Sequence, residues 1–170
     1  MKLKEFIRNI SDFPEEGIEF KDITPLLQNS EAFDKAIDNI YRHYQDFNFD
    51  YIAGIEARGF IIGPPLALKF NKGFIPIRKP GKLPADKLST SYDLEYGSNE
   101  LEIHQDAINP GDKILLVDDL LATGGTVKAA IDLIEELGGE IVSVGFLLEL
   151  EKLNGIQKFN NYDSFILIKD

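Results

Sequence analysis

KILLVDDLLATGGTVKAAIDLIEEL, Lys113 to Leu137, is the stretch on which the reading of this chain turns. Ile114 to Val117 is a short apolar run, as expected of a strand covered on both faces. Val127, Ala130, Ile131, Ile134 and Leu137 recur at helical spacing and give one apolar face. Between strand and helix lie Ala122, Thr123, Gly124, Gly125 and Thr126. Such small residues let the backbone turn tightly and leave N–H groups open at a helix N-terminus. That end has unpaired donors and a positive dipole, so it favours a phosphate. Asp118 and Asp119 precede it at the carboxyl end of the strand, where open α/β sheets bind ligands. Two carboxylates would repel a phosphate, so they suit hydroxyls or a cation further along the same ligand. The pattern points to a phosphorylated sugar, with phosphate on the loop and diol on the acids.

A plainer reading stands beside it. Turns rich in Gly and Thr are common between strand and helix, and an Asp before a helix often serves only as a cap. The run is not a Walker A loop, because no Lys-Ser/Thr follows the glycines, and G-x-G-x-x-G is absent.

Composition narrows the class. The chain has 170 residues, 44% hydrophobic and 28% charged, which suits one soluble globular domain spanning residues 1–170. Cysteine is absent, which excludes disulfides, thiolate nucleophiles and Cys-based metal sites. His43 and His104 are the only histidines, too few for a His-rich metal site, and both read as packing or surface residues. The net charge of −11 argues against nucleic acid as a partner. No signal peptide and no membrane-length apolar run is visible, so a cytoplasmic location is expected. The acidic excess lies beyond residue 85, whereas Lys69, Lys72, Arg78, Lys79 and Lys82 occur with no acid among them. A basic cluster in an acidic protein suits either a small polyanion or a solvated face.

The remaining chain alternates strand and helix. A short helix over Lys2–Asn9 is followed by an irregular segment with a strand near Ile18–Ile23. A helix over Glu31–Phe47 opens on Asn29 or Ser30 as cap. Strands follow at Tyr51–Ile55, Phe74–Ile77, Leu101–Ile103, Glu140–Leu148 and Phe165–Ile168, with a helix running through Leu68 that holds Pro64 and Pro65 near its start. Pro76 marks Phe74–Ile77 as an edge strand. The alternation predicts an α/β fold, an open and mostly parallel sheet flanked by helices. GIEARGF, residues 54–60, is a second strand-to-helix turn and, with Arg58, a second anion site. Residues 78–97 form too long a connection for an ordinary loop and read as a functional flap. Phe20 is an aromatic amid charges, fit to plug a core or to stack on a flat base.

VDDLLATGGT closely resembles the phosphoribosyl diphosphate (PRPP) signature of the type I phosphoribosyltransferases. Together with FPEEGIEFKDITPLL, IRKPGKLP and LEYG, it resembles their adenine-specific branch over nearly the whole chain. The resemblance implies the type I fold with an N-terminal hood over residues 1–29 and a flexible catalytic loop over 78–97. It implies transfer of phosphoribose from PRPP to adenine, giving AMP and diphosphate with Mg²⁺, in a homodimer. By the same resemblance Glu19, Phe20 and Lys21 surround adenine, with Lys21 standing where many members carry Arg. Arg58 contacts diphosphate, next to a cis peptide between Glu56 and Ala57. Arg78, Lys79 and Lys82 approach diphosphate, and Glu95 and Tyr96 sit at the reacting centre. Asp118 and Asp119 hold the ribose hydroxyls, and Ala122 to Thr126 hold the 5′-phosphate. The metal is carried by PRPP rather than by protein ligands. Rival readings are transfer to hypoxanthine, guanine, xanthine or orotate, a PRPP-sensing regulatory domain without catalysis, and a generic nucleotide-binding α/β protein.

Overall fold

The computed structural model describes residues 1–93 and 98–170. A single 3₁₀ turn, Leu3–Phe6, stands where a helix over Lys2–Asn9 is predicted. The chain then extends as β1 (Arg8–Ser11), which pairs antiparallel with β2 (Glu19–Asp22). Ile10 thus serves a ribbon rather than a helix face, and Ile7 ends the 3₁₀ turn against the core, because tertiary pairing overrides the local pattern. A short helix absent from the sequence reading, α1 (Thr24–Gln28), leads into α2 (Ser30–Tyr44). Asn29 caps α2, its side-chain oxygen accepting from the Ala32 N–H at 2.9 Å.

Next come β3 (Tyr51–Ile55), α3 (Gly59–Phe70) and β4 (Gly73–Ile77). Pro64 and Pro65 fall inside α3 rather than near its start. The segment predicted as a flap holds β5 (Lys87–Asp93), paired antiparallel with β6 (Ser98–His104). The alternation that makes β5 a strand is weak in sequence, because polar Thr90 stands among its inward residues between Leu88 and Tyr92. Leu88 and Tyr92 reveal it by packing against the core. The last elements are β7 (Lys113–Leu121), α4 (Gly125–Glu136), β8 (Glu140–Glu149) and β9 (Ser164–Lys169).

The main sheet has the order β4-β3-β7-β8-β9, and every neighbouring pair in it is parallel. β4 lies at one edge, as Pro76 requires, since its missing N–H faces no neighbour. β7 is central, and its residues alternate between two cores. Ile114 and Leu116 face α4 and β6 in one, while Leu115 and Val117 face α1, α2 and α3 in the other. Burial on both faces explains the unbroken apolar run. Among the described residues no helix is long and apolar enough to cross a membrane.

Candidate functional site

β7 continues four residues past its expected end at Val117. Asp118, Leu120 and Leu121 stay in register with Phe146, Leu148 and Glu149 of β8. The two acids are therefore strand residues, held by the sheet rather than by a loop. Alternation turns Asp118 and Asp119 to opposite faces at the lip where β7 meets α4. A cleft of about 400 Å³ opens there. Its walls include Glu56, Arg58, Lys79, Asp118, Asp119 and the loop Ala122–Gly124, with Thr126 beyond. That volume suits a small substrate.

Asp119 is 5% exposed. Arg58 Nε stands 2.9 Å from its Oδ2, yet that oxygen accepts no hydrogen bond among the described residues. A buried acceptor without a donor is costly unless a ligand supplies one. Asp118 Oδ1 accepts the Asp119 backbone N–H at 2.9 Å. Gly59, the first residue of α3, is what admits this helix start: a Cβ there would stand 3.0 Å from Asp118 Oδ1. Burial, and then the Asp119 charge, push the Asp118 carboxyl well above the ordinary carboxylate range. Burial also raises Asp119, with Arg58 opposing. The pair thus resists holding two negative charges until a partner arrives.

A carboxyl whose folded pKa is raised stabilises the fold below its unfolded pKa, near 4, and loses that contribution as pH rises through the folded value. Asp118→Asn removes the penalty while keeping an oxygen for the Asp119 N–H. It is expected to raise Tm by roughly 3 °C at pH 7.5 and to leave Tm unchanged near pH 4, measured by calorimetry. An equal effect at both pH values would contradict the raised pKa.

The phosphate-type loop is clasped from behind. Gly124 adopts φ +80° and caps α4. A Cβ on Gly124 would overlap the Gly155 carbonyl, and one on Gly155 would overlap the Ala122 carbonyl. Gly155, in the 3₁₀ turn Gly155–Phe159, is thus a supporting residue that sequence reading missed. From the other side Thr126 Oγ1 donates to the Tyr92 hydroxyl at 3.2 Å. This places β5 against the start of α4, a role for Tyr92 equally invisible in sequence. No acid lies in the first turn of α4, so its dipole is open to an anion.

The other predicted residues separate into groups. Arg58 and Lys79 reach the cleft. Arg78 does not line it: its Nη2 pairs with Glu56 Oε2 at 3.3 Å, and Glu56 also accepts the Lys79 N–H at 2.6 Å. Burial raises the Glu56 carboxyl, but these donors outweigh it and hold Glu56 below the ordinary range. Glu56 is thus a further residue the sequence reading passed over. Lys82 is exposed and outside the cleft lining. The Glu56–Ala57 peptide is cis. In β2, Phe20 faces Arg58, whose Cζ lies 5.6 Å from the ring centroid. Glu19 and Lys21 fall on the other face of β2, and the Lys21 ammonium binds Asp170, Asn9 and Glu19. Their side chains therefore do not meet the cleft, because a strand alternates its faces. Glu95 and Tyr96 lie outside the described residues. His43 stacks on Phe165 with centroids 4.0 Å apart, and His104 accepts from the Ala85 N–H at 3.4 Å; both are packing residues.

Residues 22–168 match the phosphoribosyl transferase domain model. The chain is 69% identical to the adenine phosphoribosyltransferase of Halothermothrix orenii over 170 residues, covering 100% of both. The adenine phosphoribosyltransferase structure from Thermoanaerobacter pseudethanolicus superposes with a TM-score of 0.96 at 51% identity, covering 99% of this chain and 98% of that one. That of Saccharomyces cerevisiae, solved with adenine and an imino-altritol bisphosphate, superposes with a TM-score of 0.91 at 40% identity, covering 97% and 96%. An open parallel sheet, acids at the lip of its central strand, a glycine-clasped loop and full-length likeness agree: this chain belongs to the phosphoribosyltransferase family, in its adenine phosphoribosyltransferase branch.

Proposed function

We propose that this chain transfers the 5-phosphoribosyl group of PRPP to adenine, forming AMP and releasing diphosphate. The observation that carries the reading is the buried Asp119 Oδ2, which faces Arg58 yet accepts no hydrogen bond among the described residues, between a donor-rich loop and a cationic wall. A sugar diol satisfies the acid while its 5′-phosphate takes the open amides of Ala122 to Thr126. Both anchors fix the sugar and thereby its C1. As the C1–O bond to diphosphate loosens, the ribose gains oxocarbenium character, and the Asp118–Asp119 pair lies beside that growing positive charge. The electron pair of the breaking bond goes to the diphosphate oxygen, whose charge Arg58 and Lys79 offset. A purine nitrogen bonds to C1 and gives up its proton, which we assign to Glu95 as acceptor. Tyr96, Arg78 and Lys82 belong to the same reading as residues that meet diphosphate once substrates bind. Phe20, over Arg58, is the platform for the base. Adenine bound to the yeast relative supports the base assignment.

Magnesium fits this site as a companion of the substrate. Three carboxylates line the cleft, Glu56, Asp118 and Asp119, and two of them are already paired, Glu56 with Arg78 and Asp119 with Arg58. No group of three or more metal-binding side chains occurs among the described residues. Mg²⁺ commonly takes one or two carboxylates plus substrate phosphates. When bound, it would neutralise diphosphate charge as that group leaves. A homodimer completes the proposal, as the family resemblance implies. A phosphorylated substrate that cannot cross a bilayer unaided supports a cytoplasmic location.

The assay is nucleotide formation from PRPP and Mg²⁺ with adenine, hypoxanthine, guanine, xanthine and orotate. Turnover with adenine alone is expected. Turnover with another base would overturn the hood assignment, and tight PRPP binding without turnover would favour a regulatory domain.

A further inference from the structure

Lys21 is a buried lysine, 7% exposed. Its ammonium is held by Asp170, by Asn9 Oδ1 at 3.0 Å and by Glu19 Oε1 at 3.4 Å. Asp170 is itself fixed to the body of the protein. Its N–H donates to the Glu149 carbonyl at 3.0 Å, its carbonyl accepts the Glu151 N–H at 3.0 Å, and Lys4 Nζ stands 2.7 Å from its carboxylate. Glu149 ends β8, directly beside Leu121 at the end of β7. Asp170 therefore sits on the same rigid strand ends that carry Asp118 and Asp119.

The hood ribbon needs such an anchor. Among the described residues β1 and β2 pair only with each other, and a lone two-stranded ribbon is marginal in water. Strand alternation puts Phe20 on the face opposite Lys21, so whatever fixes Lys21 also sets the height and tilt of the Phe20 ring. That ring lies beside Arg58 and packs edge-on against Phe13 at 5.1 Å. We propose that Asp170 is a positioning residue for the base, acting through Lys21 to hold β2 so that Phe20 faces the cleft. The proposal rests on the adenine reading above for its kinetic consequence, but its structural half does not. Lys21 and Lys4 hold Asp170 down to about 2, so the pair is charged throughout the neutral range.

The test is Asp170→Asn, with Asp170→Glu as the conservative control. Ile23 is 2% exposed in the core at the foot of β2, so the fold is expected to persist. Hydrogen exchange at the amides of residues 19–22 is expected to quicken at least roughly tenfold in Asp170→Asn, through loss of a buried charge partner. Exchange in β7 is expected to stay unchanged. KM for adenine is expected to rise about tenfold, with PRPP affinity within about twofold of wild type, and Asp170→Glu to restore most of both effects. Unchanged exchange at residues 19–22 would overturn the proposal whatever the kinetics. A proportional rise in KM for both substrates would also overturn it. If wild type uses a different base, the adenine reading fails instead, and the exchange measurement still decides this one.

Discussion

Asp119→Asn is expected to lower kcat/KM for AMP formation by about 100-fold or more, the scale seen when a preorganised charge is removed from a reacting centre. The asparagine keeps the volume and one acceptor oxygen, so packing in this 5%-exposed position is preserved. On the mechanism proposed above, what goes is the negative charge next to a sugar that becomes positive as its bond to diphosphate breaks. Arg58 also loses the carboxylate 2.9 Å from its Nε, which frees the guanidinium that faces the leaving group. Because the interaction strengthens as charge develops, the loss belongs mainly in kcat rather than in KM. Steady-state kinetics with both substrates varied would check it. Activity within a few-fold of wild type would remove Asp119 from the chemistry and leave it as a buried structural acid.

Gly124→Ala is expected to weaken PRPP binding at least roughly 30-fold, about 2 kcal/mol. Two penalties combine. A side chain in the left-handed region costs about 1–2 kcal/mol, and Gly124 sits at φ +80°. Its new Cβ would also overlap the Gly155 carbonyl, so the clasp must open and the loop amides lose their common aim. Gly125→Ala is the control. Its Cβ would meet Lys158 Nζ and the Tyr92 ring at 3.6 Å and the Asp93 carbonyl at 3.8 Å, ordinary contact distances, so Tm is expected to stay unchanged there and to fall by roughly 3 °C or more in Gly124→Ala. Calorimetric titration with PRPP and thermal melts would decide it. Equal affinities for wild type and Gly124→Ala would mean that the loop does not hold the phosphate.

These two positions also mark how far the sequence could be read. The apolar run Ile114–Val117, the helical face Val127–Leu137 and the edge-marking Pro76 all reflect local chemistry, and each element formed where expected. Strand-to-helix turns rich in small residues likewise announced the two loops that line the cleft. Other boundaries moved because pairing decided them. β7 runs on through the two acids because β8 supplies partners as far as Glu149. β1 replaces a helix because β2 lies alongside. β5 emerges from an apparent loop because β6 and the core accept its alternate residues.

What the sequence by itself determined was the set of parts: an α/β chain, two acids before a small-residue loop, Arg58 in a second loop, and an aromatic in a charged N-terminal segment. Spacing along one strand or helix turn suffices for these. Only the tertiary structure decided which parts meet. It set Phe20 over Arg58 and sent Lys21 to Asp170. It also paired Arg78 with Glu56, locked Gly124 against Gly155 and laid Tyr92 on Thr126. Each of these contacts joins residues distant in sequence, and no local pattern encodes the direction in which two separately folded elements present their side chains to one another.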